Sequence, residues 1–522
     1  VTVRGNQLAL DWFRNGTYEG AYDDVSDDVN GDPVVITYGR DQASATSQAV
    51  AGKLGFGLNN LDRRYSPENS ASPIAGKVVP GTPTRYQVTS EDVITTLFGG
   101  VLDSVDSDPN AAAKTFTGEA LDAWGLLSSQ TLSTPVYQGL RTGDAVNLIL
   151  DEVGWTGLRD IDAGATVMPF WWMEDSDAAA AMAALIRSEG PPAGVYVEGG
   201  TFVFRDRHAR LLDTESQTSQ GTFTHILPAG TGPAGDYKIE KGSFRYDHGL
   251  KNIANTVTFN VEQRVPGDQA EVWSSEDPIT VATGQTIVLN IQAADPFINA
   301  ITPVAGIDYI VDSGVATVTM SRDSGQSVTL SVTASSDAII SRMAVRATPI
   351  TVARTVKVSY EDTASRSEFG PKSWPDDCGF ANAYDAAAIA SRIVAVYSTA
   401  RPAVTFSIAY VHGGPLPIRY LRQILQRRIG HRVTVRNDSL GVNGDFYIER
   451  VTHTIRKLGL IHRVEFGCSV VEPVQPANIF TFDVAGLGFD DGAFGIEGID
   501  NADSVFIFDA PGQGFDDGVF ST

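Results

Sequence analysis

Cysteine is nearly missing from this chain: Cys378 and Cys468 are the only two in 522 residues. Two thiols cannot make a disulfide framework, and no CxxC pair exists, so neither cross-linking nor a cysteine-rich metal knuckle organises the fold. Free, buried thiols and assembly in a reducing cytoplasm are expected. Basic residues are scarce as well, 39 Lys and Arg against 63 Asp and Glu, a formal charge of −24. Binding a phosphate backbone needs clustered cations, so a nucleic-acid-binding role is disfavoured, and the acidity reads first as solubility. No apolar run approaches the roughly 18 residues of a membrane span, so no membrane insertion is expected. The opening VTVRGNQLALDWF has no basic start followed by an apolar core, and no secretory signal is expected. HExxH, GxSxG, a Walker lysine motif and a Rossmann fingerprint are all lacking. The seven histidines are scattered. No catalytic residue, metal or cofactor is therefore assigned.

What is present is mostly strand. A chain of this length needs three to five lobes. Thr2 to Leu10, Val34 to Tyr38 and Arg85 to Val88 alternate or are β-branched between turn residues. The period then changes. Arg141 to Val153 sets Val146, Ile149, Leu150 and Val153 on one helical face. Asp175 to Glu189 does the same with Ala178, Met182, Leu185 and Ile186, capped by an Asp and stopped by Gly190-Pro191-Pro192. A hairpin over 195–205 should turn at Gly199-Gly200. From Pro266 to Thr351 short Thr-, Ser- and Val-rich strands suggest an inserted β-sandwich. A helix over 384–397, a short amphipathic piece at Leu421, Ile424 and Leu425, and strands near 432–436, 446–455 and 463–470 follow.

Several features carry chemistry only weakly. The densest cationic run holds Arg419, Arg422, Arg427, Arg428, His431, Arg432 and Arg436. It lacks interleaved aromatics, so pairing with carboxylates of a neighbouring subunit is favoured over nucleic acid. Trp171-Trp172 reads as core packing rather than a sugar platform. His453 reads as packing, and His208 as a surface ion pair. After Arg463 there is no Lys or Arg, and Phe480 to Phe494 repeats as Phe506 to Phe520 with ten of fifteen positions identical. Its Asp-Asp-Gly turns match no calcium-loop spacing, so Phe489, Phe494, Phe515 and Phe520 are read as docking anchors for a partner.

Three groups of phrases resemble minor tail proteins of long-tailed actinobacteriophages. The first lies in Leu58 to Val88: Leu61, Asp62, Arg63, Arg64, Tyr65, Ser66, Pro67, Asn69, Ser72, Pro73 and Gly76, then Pro80-Gly81-Thr82-Pro83 and Arg85. The second runs from Arg159-Asp160-Ile161-Asp162 through Pro169-Phe170-Trp171-Trp172 and Glu189-Gly190-Pro191-Pro192 to Arg205-Asp206-Arg207-His208. The third is Ile429, Gly430, Arg432 to Val435, Gly441, Gly444, Asp445, Tyr447, Val451, His453 and Ile455, which resembles the C-terminal tube-like domain of tail hubs.

The resemblance implies a multidomain β-rich α+β chain with two tail-tube-like β-barrel domains. The expected layout is a first barrel over 1–110, an α/β lobe over 111–210, and strands over 211–262 returning to the first barrel. An inserted β-sandwich would follow over 263–353, a second barrel over 354–473, and an extended acidic tail over 474–522. The implied function is a tail-tip hub ring in the virion, a homotrimer that continues the tail tube. Its partners would be the distal tail ring, the tape-measure protein and fibre proteins, with phage DNA passing the lumen during infection. Tyr65, Pro67, Asn69, Pro73, Arg427, Arg428 and Arg432 are the expected subunit-interface residues. A fibre-type receptor binder using the sandwich on cell-wall glycan, a tail-associated wall-degrading enzyme, and a sixfold ring are the alternatives.

Overall fold

The computed structural model describes residues 5–31, 33–41, 50–108, 114–226, 235–457 and 459–471. The chain is β-rich, with 48% strand against 17% helix, and none of its sheets closes into a barrel.

The largest sheet has thirteen strands. Six belong to the N-terminal block: Asn6–Leu10, Val34–Gly39, Val50–Asn59, Pro83–Ser90, Val93–Asp108 and Thr115–Leu121. Four are C-terminal: Ala403–Val411, Arg432–Asn437, Val442–Arg456 and Ile461–Val470. The two expected barrels are therefore stretches of one open sheet. The cause is the fifteen-residue strand Val442–Arg456. Its first half pairs with Arg432–Asn437 and its second half with Val34–Gly39, running from Gly39↔Arg450 to Val34↔Ile455. Ile461–Val470 pairs along it as well. Strict alternation sends Val34, Ile36 and Tyr38 inward with Val451, His453 and Ile455, so one apolar core runs across both blocks.

The three remaining strands, Thr222–Thr224, Asp236–Lys238 and Arg245–Asp247, were expected to return to the N-terminal block. They do not. Thr222–Thr224 lies parallel to Arg432–Asn437, and Arg245–Asp247 antiparallel to Ala403–Val411. Both of these places are edges that the C-terminal strands leave open.

Between Asn59 and Pro83 the loop climbs in hydrogen-bonded turns three residues apart: Arg63 on Asn60, Ser66 on Arg63, Asn69 on Ser66, Ser72 on Asn69 and Ala75 on Ser72. Pro67 and Pro73 fit such a run because a turn needs no amide hydrogen at every position. Tyr65, Ile74 and Val78 point inward and cap the core beside Trp12 and Phe116, while Pro67, Glu68 and Pro73 are exposed. The Tyr65 hydroxyl donates to Asp28, which also pairs with Arg64 at 3.0 Å.

The α/β lobe has its own core. Helix Thr142–Glu152 buries Val146, Ile149 and Leu150, and helix Ala178–Glu189 buries Met182 and Leu185. Asp177 caps the second helix by accepting the Ala180 amide. Glu189 is fully buried at its end and accepts from the Thr142 hydroxyl (2.7 Å) and the Ala165 and Thr166 amides (3.0 and 3.1 Å). Gly194–Glu198 and Thr201–Arg205 form the expected hairpin, with both turn glycines at positive φ.

The insertion is built on a single 35-residue strand, Ser327–Glu361. Six strands pair with it, from Thr256–Pro266 at its root to Tyr309–Arg322 near its start. Its core is separate from that of the thirteen-stranded sheet. Helix Ala383–Tyr397, capped by Asn382, packs on the root of this module through Ile389 and Ile393, with Val257, Phe259 and Val358. It therefore belongs with the insertion's root rather than with a barrel. Cys378 lies in that small core and Cys468 in the main one, both free and buried.

Candidate functional site

Where the two blocks join, strand Val34–Gly39 ends on a glycine at φ +108, and a Cβ there would collide with the Glu449 carbonyl oxygen. That close approach lets the Arg40 amide donate to the same oxygen (2.9 Å) and brings its guanidinium onto the Glu449 carboxylate (2.8 Å). A bulge between Ile448 and Arg450 takes Glu449 out of the ladder and turns it inward, where its side chain is 2% exposed. Arg210, from the short helix Ala209–Leu212, binds both carboxylate oxygens (2.8 and 2.9 Å), and the Ser469 hydroxyl donates at 2.6 Å. Burial opposes the charge, but Arg210, Arg40 and Ser469 outweigh it and hold the carboxyl at about 2.

Beside this cluster opens a cavity of about 900 Å³. Its walls come from every part of the chain: the lobe hairpin, the tip of Val93–Asp108, the 209–216 segment, residues 425–431 and helix Ala383–Tyr397. The lobe hairpin is fixed by glycine on both sides, since a Cβ on Gly99 would sit 2.9 Å from the Gly200 Cα. Glu198 faces the cavity, 3.6 Å from Arg428 and hydrogen-bonded to Tyr38. Here burial wins and pushes the carboxyl up to about 7, with Arg428 and Arg205 countering it only in part. Asp160 pairs with Arg205 at 2.5 Å, which holds its carboxyl below the usual range. Val93, Ile94 and Leu158 line the cavity while 63%, 62% and 73% exposed, giving it an apolar rim.

Two histidines meet inside the seam. His453 and His462 are hydrogen-bonded nitrogen to nitrogen at 3.1 Å, and Tyr38 stacks beside His453. Burial pushes both imidazoles down, His453 to about 3. The sequence holds them nine residues apart, and only the hairpin register, with Ile455 opposite His462 and Val464 opposite His453, places them diagonally on one face.

The expected interface residues divide by burial. Pro67 and Pro73 are exposed and Asn69 half-buried on the turn staircase, whereas Tyr65 is core. Arg428 is exposed at the cavity mouth; Arg427 is 8% exposed and faces Gln220 and His431. Arg432 pairs within the chain, to Asp445 at 2.5 Å, and Arg422 to Glu91 at 2.6 Å. Phe489, Phe494, Phe515 and Phe520 lie outside the described residues. Trp171 is buried; Trp172 is half-buried and bonds Gln326 of the insertion at 3.1 Å. His208 is exposed, and His453 is packed.

Sequence reasoning missed Glu449, Glu198, Arg40 and Arg210. A Glu between Ile448 and Arg450 in a strand pattern was the available signal, since an inward acid in a bulge must find cations. Among the described residues no group of three or more His, Cys, Asp or Glu side chains could hold a metal ion, and no helix is long and apolar enough to cross a membrane. What converges at the junction is charge pairing and an apolar rim, an arrangement suited to recognition.

No family model and no curated protein matches this chain. Among solved structures it is similar to a tail protein from Neisseria meningitidis, with 11% identity over 89% of this chain and 96% of that one and a TM-score of 0.46. It is also similar to the 43 kDa tail protein of prophage MuSo2 from Shewanella oneidensis, with 10% identity, 89% and 98% coverage and a TM-score of 0.44. A third is prophage tail protein gp18 from Listeria monocytogenes, with 10% identity, 90% and 95% coverage and a TM-score of 0.39.

Proposed function

We propose that this chain is a structural protein of a phage tail, placed at the tail tip as a hub ring that continues the tail tube. The observation that carries the reading is the open thirteen-stranded sheet shared by the two ends of the described chain. A wall segment must be stiff, and a sheet whose seam is locked by buried ion pairs and whose two blocks share one core is stiff. A wall segment must also be incomplete alone, and an open sheet leaves edges for other chains to cover. The ordered phrases support the same reading, because their residues sit at structural joints. Tyr65 caps the core, Glu189 ties helix to strand, and Arg207 bonds Asp385 at 2.8 Å, joining the lobe to helix Ala383–Tyr397.

In this reading three copies form the ring by symmetric contacts. Pro67, Asn69, Pro73 and Arg428 contribute to the subunit interface, with Tyr65 and Arg427 supporting those surfaces from within. The distal tail ring, the tape-measure protein and fibre proteins dock on the ring, the tail phenylalanines serving as anchors. DNA passes through the lumen, and no bond is made or broken by this chain. Native mass spectrometry of the purified full chain, with immunogold labelling of virions, tests this. A trimer and label at the tail tip are expected; a monomer together with label on the head would overturn it.

A further inference from the structure

The junction cavity has the size and the lining of a binding site. Its volume of about 900 Å³ falls in the upper part of the roughly 300–1,000 Å³ typical of ligand pockets. Eight carboxylates line it against five arginines. Internal pairing does not use up the acids. Glu449 already takes Arg40 and Arg210, Arg205 is paired to Asp160, and Arg187 to Asp377 at 2.9 Å. Asp213, Glu215 and Asp376 line the same space, and no ion pair reaches them among the described residues. Burial pushes Asp213 and Asp376 up, as expected for carboxyls whose charge is under-compensated. The rim is aliphatic, through Val93, Ile94 and Leu158.

We propose that this cavity receives a basic, aliphatic segment of another polypeptide, with Arg or Lys heads directed at Glu198, Asp213 and Asp376 and aliphatic side chains covering Val93, Ile94 and Leu158. Charge complementarity selects that occupant: a surplus of carboxylates inside an apolar mouth favours cation heads on short apolar spacing. It argues against the chain's own acidic end, which has no Lys or Arg after Arg463. The inference goes beyond the tail reading and stands whether or not the ring is at the tip.

The test is fluorescence anisotropy of the full chain with a labelled nonapeptide alternating Leu and Arg. Its comparators are the Leu/Gln, Ser/Arg and Leu/Glu analogues and a peptide copying residues 480–494. The Leu/Arg peptide is expected to bind at least tenfold tighter than each. Glu198→Gln with Asp376→Asn, and separately Ile94→Ser with Leu158→Ser, should each weaken it about tenfold, since each removes roughly 1.4 kcal/mol. Asp268→Asn with Asp277→Asn, two exposed acids of the insertion, should leave affinity within twofold and so report non-specific attraction to an acidic protein. Hydrogen exchange on the complex should protect 93–97 and 190–205. Equal loss in the control pair, equal or tighter binding of the 480–494 copy, or protection confined to other segments would overturn the proposal. Circular dichroism and the unfolding midpoint establish that each variant folds; if Ile94→Ser with Leu158→Ser does not, the Glu198 and Asp376 variant and the exchange map decide.

Discussion

The thirteen-stranded sheet and the inserted module are both β-structure, yet they are held together in different ways. The sheet is assembled from chain segments more than 400 residues apart, and its seam carries buried polar groups: Glu449 with Arg40 and Arg210, and the His453–His462 pair. The module is contiguous, since all six partner strands pair with Ser327–Glu361. Its side-chain ion pairs, such as Arg342 with Glu271 and Glu276, lie at the surface. Buried polar groups specify one seam at the risk of large loss when a partner is missing, whereas an apolar core closed by local pairing can be added or removed with little consequence.

The sharpest way to break that contrast is Glu449→Ala. It leaves two buried guanidinium groups without their carboxylate and is expected to cost about 3–5 kcal/mol, measured by denaturant unfolding. Gly39→Val should act at the same place, through φ +108 and the collision with the Glu449 carbonyl. A pH series comes next. His453 and His462 are neutral in the fold, with pKa values pushed below that of the unfolded chain, near 6.5. Their contribution is complete above about pH 6.5 and is lost as pH falls, by up to about 1.4 kcal/mol per group per pH unit. Glu198 has the opposite sign: raised to about 7, it favours the fold at low pH and loses that contribution as pH rises through 7. Comparing the wild type with a His453→Leu, His462→Leu variant isolates the pair, and the slope below pH 6.5 should flatten.

Excising 268–348 and closing Gly267 to Pro349 through Asn-Gly should shift the main unfolding midpoint by only about 2–4 °C, equivalent to about 1 kcal/mol. Gly267 and Pro349 already bond across the root of the module, and the main loss is the Trp172 contact to Gln326. Smallest of all, Arg422→Ala removes an exposed pair with Glu91 and should cost about 0.2–1 kcal/mol, less at high salt.

Periodicity made the helices and the lobe hairpin legible. The helix 142–152, the Asp177 cap and the Gly199-Gly200 turn fall where the pattern put them, because each is set by local chemistry. Sheet membership was not legible. Strand Val442–Arg456 reads as one amphipathic run, and nothing in its alternation states that its halves serve different neighbours. The destination of Thr222–Thr224 was hidden for the same reason. The junction was the least visible part, because Glu198, Glu449 and Arg210 become one site only through contacts across as many as 251 positions. The basic run was seen, but its fate was not: Arg432 and Arg422 are paired within the chain, and Arg427 is buried.

A symmetry-resolved reconstruction of the virion tail, with this chain fitted as a rigid body, tests the central claim most directly. The account predicts three copies around the tail axis, each presenting its thirteen-stranded sheet as a wall of the channel and its Pro67 and Pro73 turns to a neighbour. Density for the chain on a peripheral fibre, with the sheet facing away from the axis, would contradict it.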